Sequence, residues 1–139
     1  MTDLPRRRRK RPAPLPPPER PPGARPSINY LADLIVRSRF PEDTGAGRYR
    51  QLAVVFLIYA AYKRDEPPTA ATLAREVGSD ESQLFLIARL LFNRGVLLRI
   101  PAHGYLGAPN NTILDINPDA APALNRAHIE ATGAPITLD

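Results

Sequence analysis

The chain has 139 residues, 19 basic and 14 acidic side chains, 17 prolines, no cysteine and no tryptophan, and 43% of its residues are hydrophobic. That length and apolar share suffice for one modest core and argue against a second. A chain without cysteine has neither a disulfide framework nor a thiolate metal site, and the start shows no apolar secretory h-region, so a reducing cytoplasm is the expected compartment.

The net charge of +5 is unevenly placed. Residues 1–26 hold eight basic side chains against Asp3 and Glu19, together with nine prolines, whereas the other 113 residues hold 11 basic and 12 acidic side chains. A Pro-rich, charged stretch of this kind buries too little apolar surface to offset the entropy of ordering it, so residues 1–26 read as a disordered, partly polyproline II arm. From Ile28 to Phe40 the apolar residues Ile28, Leu31, Leu34 and Ile35 recur at helical spacing, with Ser27 placed to cap and Pro41 to stop. Glu42 to Gly47 reads as a linker, and Arg48 to Arg64 as a long, nearly all-apolar central helix. Its apolar run, Leu52 to Tyr62, is well short of the roughly 20 residues that span a bilayer. Thr69 is placed to cap a short helix that Gly78 ends near Val77. After a tight turn, Asp80 and Gln83 form a capping-box-like pair, and Leu84, Ile87, Ala88 and Leu91 share one face of a helix reaching Gly95. Val96, Leu98 and Ile100 alternate as one strand, and Ile113, Leu114 and Ile116 supply its antiparallel partner across a long tip containing Gly104, Gly107, Pro109, Asn110 and Asn111. Ala120 to Ala131 forms a weak last helix closed by Gly133, with Pro122 arguing for a late start.

The run Leu73-Ala74-Arg75-Glu76-Val77-Gly78-Ser79-Asp80, followed by the helix through Leu84 and Leu91 and by Gly95-Val96, resembles the MarR-like and related winged-helix regulators over roughly residues 48–116. The resemblance implies a mainly α fold with a small β-hairpin, a winged helix-turn-helix preceded by a disordered arm and a short helix. Residues 1–26 would be the arm and residues 27–139 the domain, with its core at 48–116 and a C-terminal extension. It implies that early outward positions of the third helix meet the major groove, where Ser82, Gln83 and Arg89 are the contact residues. Gln83 would suit adenine, and Arg89 a guanine or a phosphate. Arg6, Arg7, Arg8, Arg9, Lys10 and Arg11 would add salt-dependent, sequence-neutral phosphate affinity.

Asp80 and Glu81 suit the positive end of a helix whether or not DNA is present. Phe85, Leu86 and Phe92 leave the same helix apolar almost all round, which calls for cover from the residue 28–40 helix, a second copy or another protein. A second expectation follows: a winged-helix subunit that docks a protein partner through these three residues inside a nucleic-acid-associated complex. Tyr49, Tyr59 and Tyr62 could line an effector pocket, although buried tyrosines are more often packing residues. His103 and His128 stand alone, with no metal-ligand spacing and no Gly-rich phosphate loop. No catalytic set, cofactor or metal is therefore expected. The expected partners are DNA ahead of RNA, with a homodimer or a protein partner and no membrane, and the expected location is the nucleoid-associated cytoplasm.

Overall fold

A computed structural model describes residues 24–101 and 112–138. The described chain is mainly helical with one antiparallel hairpin: α1 (Ile28–Arg37), α2 (Gly45–Lys63), α3 (Ala70–Val77), α4 (Glu81–Asn93), β1 (Leu97–Pro101), β2 (Thr112–Ile116) and α5 (Ala120–Thr132). Ser27 Oγ accepts from the Tyr30 N–H and starts α1, which ends at Arg37 because the Ser38 backbone is extended. α2 begins three residues before the expected Arg48. Thr44 is its N-cap, accepting from the Gly47 N–H, so the small residues expected to be linker form its first turn. Thr69 and Thr72 form a reciprocal capping box at α3. At α4 the expected box is absent: the Asp80 carboxylate makes no cap bond and accepts from Ser82 Oγ at 2.7 Å. α5 starts at Ala120 despite Pro122, since a first-turn proline gives up an N–H that has no partner inside the helix.

Gly78, at φ 73°, makes the left-handed turn that swings the chain from α3 into α4. α4 is covered by α3, α2 and β1, whereas α1 packs on α2 and α5. The residue 28–40 segment is therefore not the principal cover of α4. In the hairpin Leu97 faces Ile116 and Ile100 faces Ile113. The expected alternation holds at Leu98 and Ile100, each half-buried beside exposed Arg99 and Pro101, but Val96 precedes β1 and Leu97 is buried as well. β2 is buried from Ile113 to Ile116 because its second edge meets the segment before α3, through the Thr69–Ile113 bridge and the bond from the Leu114 N–H to the Pro68 carbonyl. The core runs from Leu31 and Ile35 through Val55 and Ile58 to Leu91, Val96, Leu114 and Leu124. It closes at Gly95, where φ is 79° and an added Cβ would lie 2.6 Å from Ala123 Cβ.

Candidate functional site

The outward face of α4 is a stripe of Ser82, Leu86, Arg89 and Asn93, all exposed, spaced by four, three and four residues so that they stack along one side of the helix. Leu84, Ala88 and Leu91 point the other way and are buried. Gln83 is also exposed, and no hydrogen bond ties its side chain to another described residue. All three expected α4 contact residues thus lie on solvent-facing positions of one helix.

The edges of the stripe differ. On the side of the hairpin, Arg99 of β1 lays its guanidinium 4.4 Å from the centroid of the Phe92 ring and 5.9 Å from that of Phe85. Phe92 is half-buried against the core under this cation, and Phe85 is 40% exposed. Leu86, at 63% exposure, is the one residue of the expected protein-docking trio that stands well clear of the body. On the opposite side a hollow of about 310 Å³ is shared by Leu86, Ile87 and Leu90 of α4 with Arg50 of α2 and the carboxylates of Glu42 and Asp43. Arg99 was missed in the sequence because an exposed cation on a strand gives no signal that it lies against the Phe92 ring of α4. Arg50 was missed because it sits in a helix read as nearly all-apolar and central.

Two buried polar clusters hold the frame behind this face. Arg94, the C-cap of α4, donates to both carboxylate oxygens of Asp43 at 2.9 and 2.8 Å and to Glu42 at 3.0 Å, and its guanidinium lies 3.6 Å above the centre of the Phe40 ring. Gln51 donates to Asp43 at 3.1 Å. Burial pushes the Asp43 carboxyl up, but the hydrogen bonds from Arg94 and Gln51 and the charges of Arg94 and Arg48 outweigh it and hold it below the usual carboxylate range. In the second cluster Asp115, 1% exposed, accepts from Arg25 Nε at 3.2 Å and from the Tyr62 hydroxyl, while Arg25 stacks 4.0 Å from the Tyr62 ring centroid. Burial, and then the hydrogen bond to Asp115, push the Tyr62 hydroxyl well above the ordinary phenol value, so it stays a donor. Burial works against the Arg25 charge, yet Tyr62 and Asp115 outweigh it and raise its pKa. The packed body therefore begins before the expected Ser27, since Arg25 and the Pro26 carbonyl, which accepts from the Tyr59 hydroxyl, are part of it.

Those bonds also change the reading of the tyrosines. Tyr49 is 75% exposed and lines no interior pocket, and Tyr59 and Tyr62 pack edge to face with their hydroxyls engaged. His128 is buried, its Nε2 accepting from the Arg39 N–H and its Nδ1 facing the Ala134 carbonyl at 2.7 Å. Among the described residues no three His, Asp or Glu side chains converge as metal ligands, and no helix is long and apolar enough to cross a membrane. Arg6 to Arg11, His103 and the hairpin tip lie outside the described residues. Comparison with protein-family models, with curated proteins and with solved structures finds no match for this chain.

Proposed function

We propose that α2, α3, α4 and the hairpin act as a winged helix-turn-helix that seats α4 in the major groove of duplex DNA, in a transcriptional regulator or nucleoprotein component. The observation that carries this reading is the solvent-facing set Ser82, Gln83, Arg89 and Asn93 on a helix whose other face is locked to α3 and α2. Such a set offers amide, hydroxyl and guanidinium groups to base edges without disturbing the core. The basic run Arg6 to Arg11 supplies sequence-neutral phosphate affinity. Pairing of two copies on a two-fold site belongs to the same proposal.

The exposure of Leu86 favours a second reading, in which α4 docks a protein partner and the arm holds the complex on nucleic acid. The two separate by measurement. Full-length protein and a variant with Arg6 to Arg11 changed to glutamine are titrated with enriched and random duplexes across a salt series. If α4 reads bases, the arm variant keeps its preference for the enriched duplex and Gln83→Ala with Arg89→Ala abolishes it. Binding that vanishes with the arm charges and ignores Gln83 and Arg89 rejects the DNA-reading helix in favour of the docking module.

A further inference from the structure

We infer that Arg50 and Arg99 form a two-sided phosphate clamp that seats α4 between the two strands of a duplex. The inference rests on the DNA-docking reading above and adds residues that base contacts alone do not require. Phe85 and Phe92 lie on the edge of the α4 stripe that faces the hairpin, and Arg99 rests on both. Ile87 and Leu90 lie on the opposite edge, and Arg50 shares their hollow. The outward stripe is thus bordered by one arginine on each side.

A helix with its side chains is about 10–12 Å across, and the major groove of B-form DNA is about 12 Å wide, so cations carried at the two edges of such a helix meet the two phosphate walls. Both arginines are exposed, and neither pairs with a carboxylate among the described residues. Glu42 and Asp43 line the same hollow and both pair with Arg94, whose single charge compensates one of the two carboxylates, so the hollow with Arg50 is close to neutral overall. Arg99 makes a cation–π contact with Phe92 at 4.4 Å, which restricts its side chain and reduces the entropy lost on binding an anion. At the Arg50 edge the first turn of α2 adds the positive end of its dipole, and at Gly45 no side chain stands between that end and an approaching phosphate.

The test uses the full chain with duplex DNA, its dissociation constant read by fluorescence anisotropy between 50 and 200 mM salt, conditions in which each lost phosphate contact removes about 0.9 from the salt slope. Arg50→Gln and Arg99→Gln should each lower the slope by about that amount and weaken binding roughly five- to tenfold near 0.1 M salt, equally on enriched and random sequences. The double variant should lose about twice as much slope. Arg99→Lys keeps a charge without the planar stack and should restore the slope, which a purely structural role for Arg99 would not produce. Arg126→Gln, a change to an exposed residue of α5, should leave the slope unchanged. Melting temperatures are compared throughout, so that loss of folding is not read as loss of contact. If only one of the two arginines changes the slope, or neither does, while Gln83→Ala still alters sequence preference, the clamp is wrong and the DNA-docking reading stands. If full-length protein shows no duplex binding beyond that of the arm charges, the docking reading fails and the clamp falls with it.

Discussion

Asp115 shows at single-residue scale how a short polar contact joins distant parts of the chain. Its carboxylate is almost fully buried, and its cation comes from Arg25, 90 positions earlier in the chain. Removing one partner of a buried pair leaves the other charge without compensation, and that loss exceeds what the pair contributes over an apolar replacement. Arg25→Ala should therefore destabilise the protein by about 2 kcal/mol, less than for a wholly buried pair because Arg25 is partly solvated, whereas Arg25→Ala combined with Asp115→Asn should recover part of the loss. Urea unfolding of the three variants measures this, and equal midpoints for Arg25→Ala and the parent would refute it. Asp43 makes a pH-dependent contribution of known sign. Its pKa is lowered in the folded state, so its contribution is complete above the unfolded-state value of about 3.9 and disappears as the pH falls through the lower folded-state value. Asp43→Asn should be less stable than the parent at neutral pH and should lose less stability than the parent on acidification below about pH 4. Parallel unfolding curves for the two proteins through the acid range would contradict this.

At the scale of the elements, what the sequence revealed was local and what it concealed was boundary or distance. Ser27, Thr69, Gly78 and Gly133 mark α1, α3 and α5 because a cap acts within one helical turn. The start of α2 escaped because Gly45 and Gly47 resemble a linker, and only Thr44, accepting from Gly47, makes them helical. β1 was found with Leu98 and Ile100 on the sheltered face, but its start was set one residue early at Val96, and Arg99 on the exposed face was not weighed as a site residue. Gln83 was placed correctly on α4 and wrongly in a cap, so its side chain is spare for contact with a ligand. The turn joining α4 to β1 yields a prediction at this scale. Gly95 has φ 79° and its missing Cβ points at Ala123, so Gly95→Ala must bear both a left-handed alanine and a clash with α5, together about 3 kcal/mol. The companion change Ala123→Gly should relieve the clash and leave the backbone term, so the double variant should melt above Gly95→Ala and below the parent.

At the scale of the molecule, charge and packing are divided along the chain. The basic excess lies in residues 1–26, while the rest of the chain is close to neutral. The fold is closed at its far end by a segment that carries no sequence signal. After Gly133 the tail returns to the body: Ile136 joins the core, its N–H donates to Asn125 Oδ1 at 2.8 Å, and the Ala134 carbonyl meets His128 Nδ1. His128 in turn accepts from the Arg39 N–H and packs edge to face on Phe40, the ring beneath Arg94. These contacts run from the tail through α5 and the α1–α2 connection to the end of α4, and each joins residues too far apart in sequence for periodicity or capping to reveal. A chain ending at Gly133 loses the buried Ile136 side chain and leaves His128 and Asn125 without these partners, which should cost about 3 kcal/mol. Its urea midpoint should fall accordingly. The tail contributes no residue to the outward stripe of α4, so under conditions where the shortened chain remains folded its salt slope on duplex DNA should match that of the full chain. A stability loss without a change in slope would make the tail a brace for α5. A changed slope with unchanged stability would instead place the tail in the binding surface and contradict the division of labour described above.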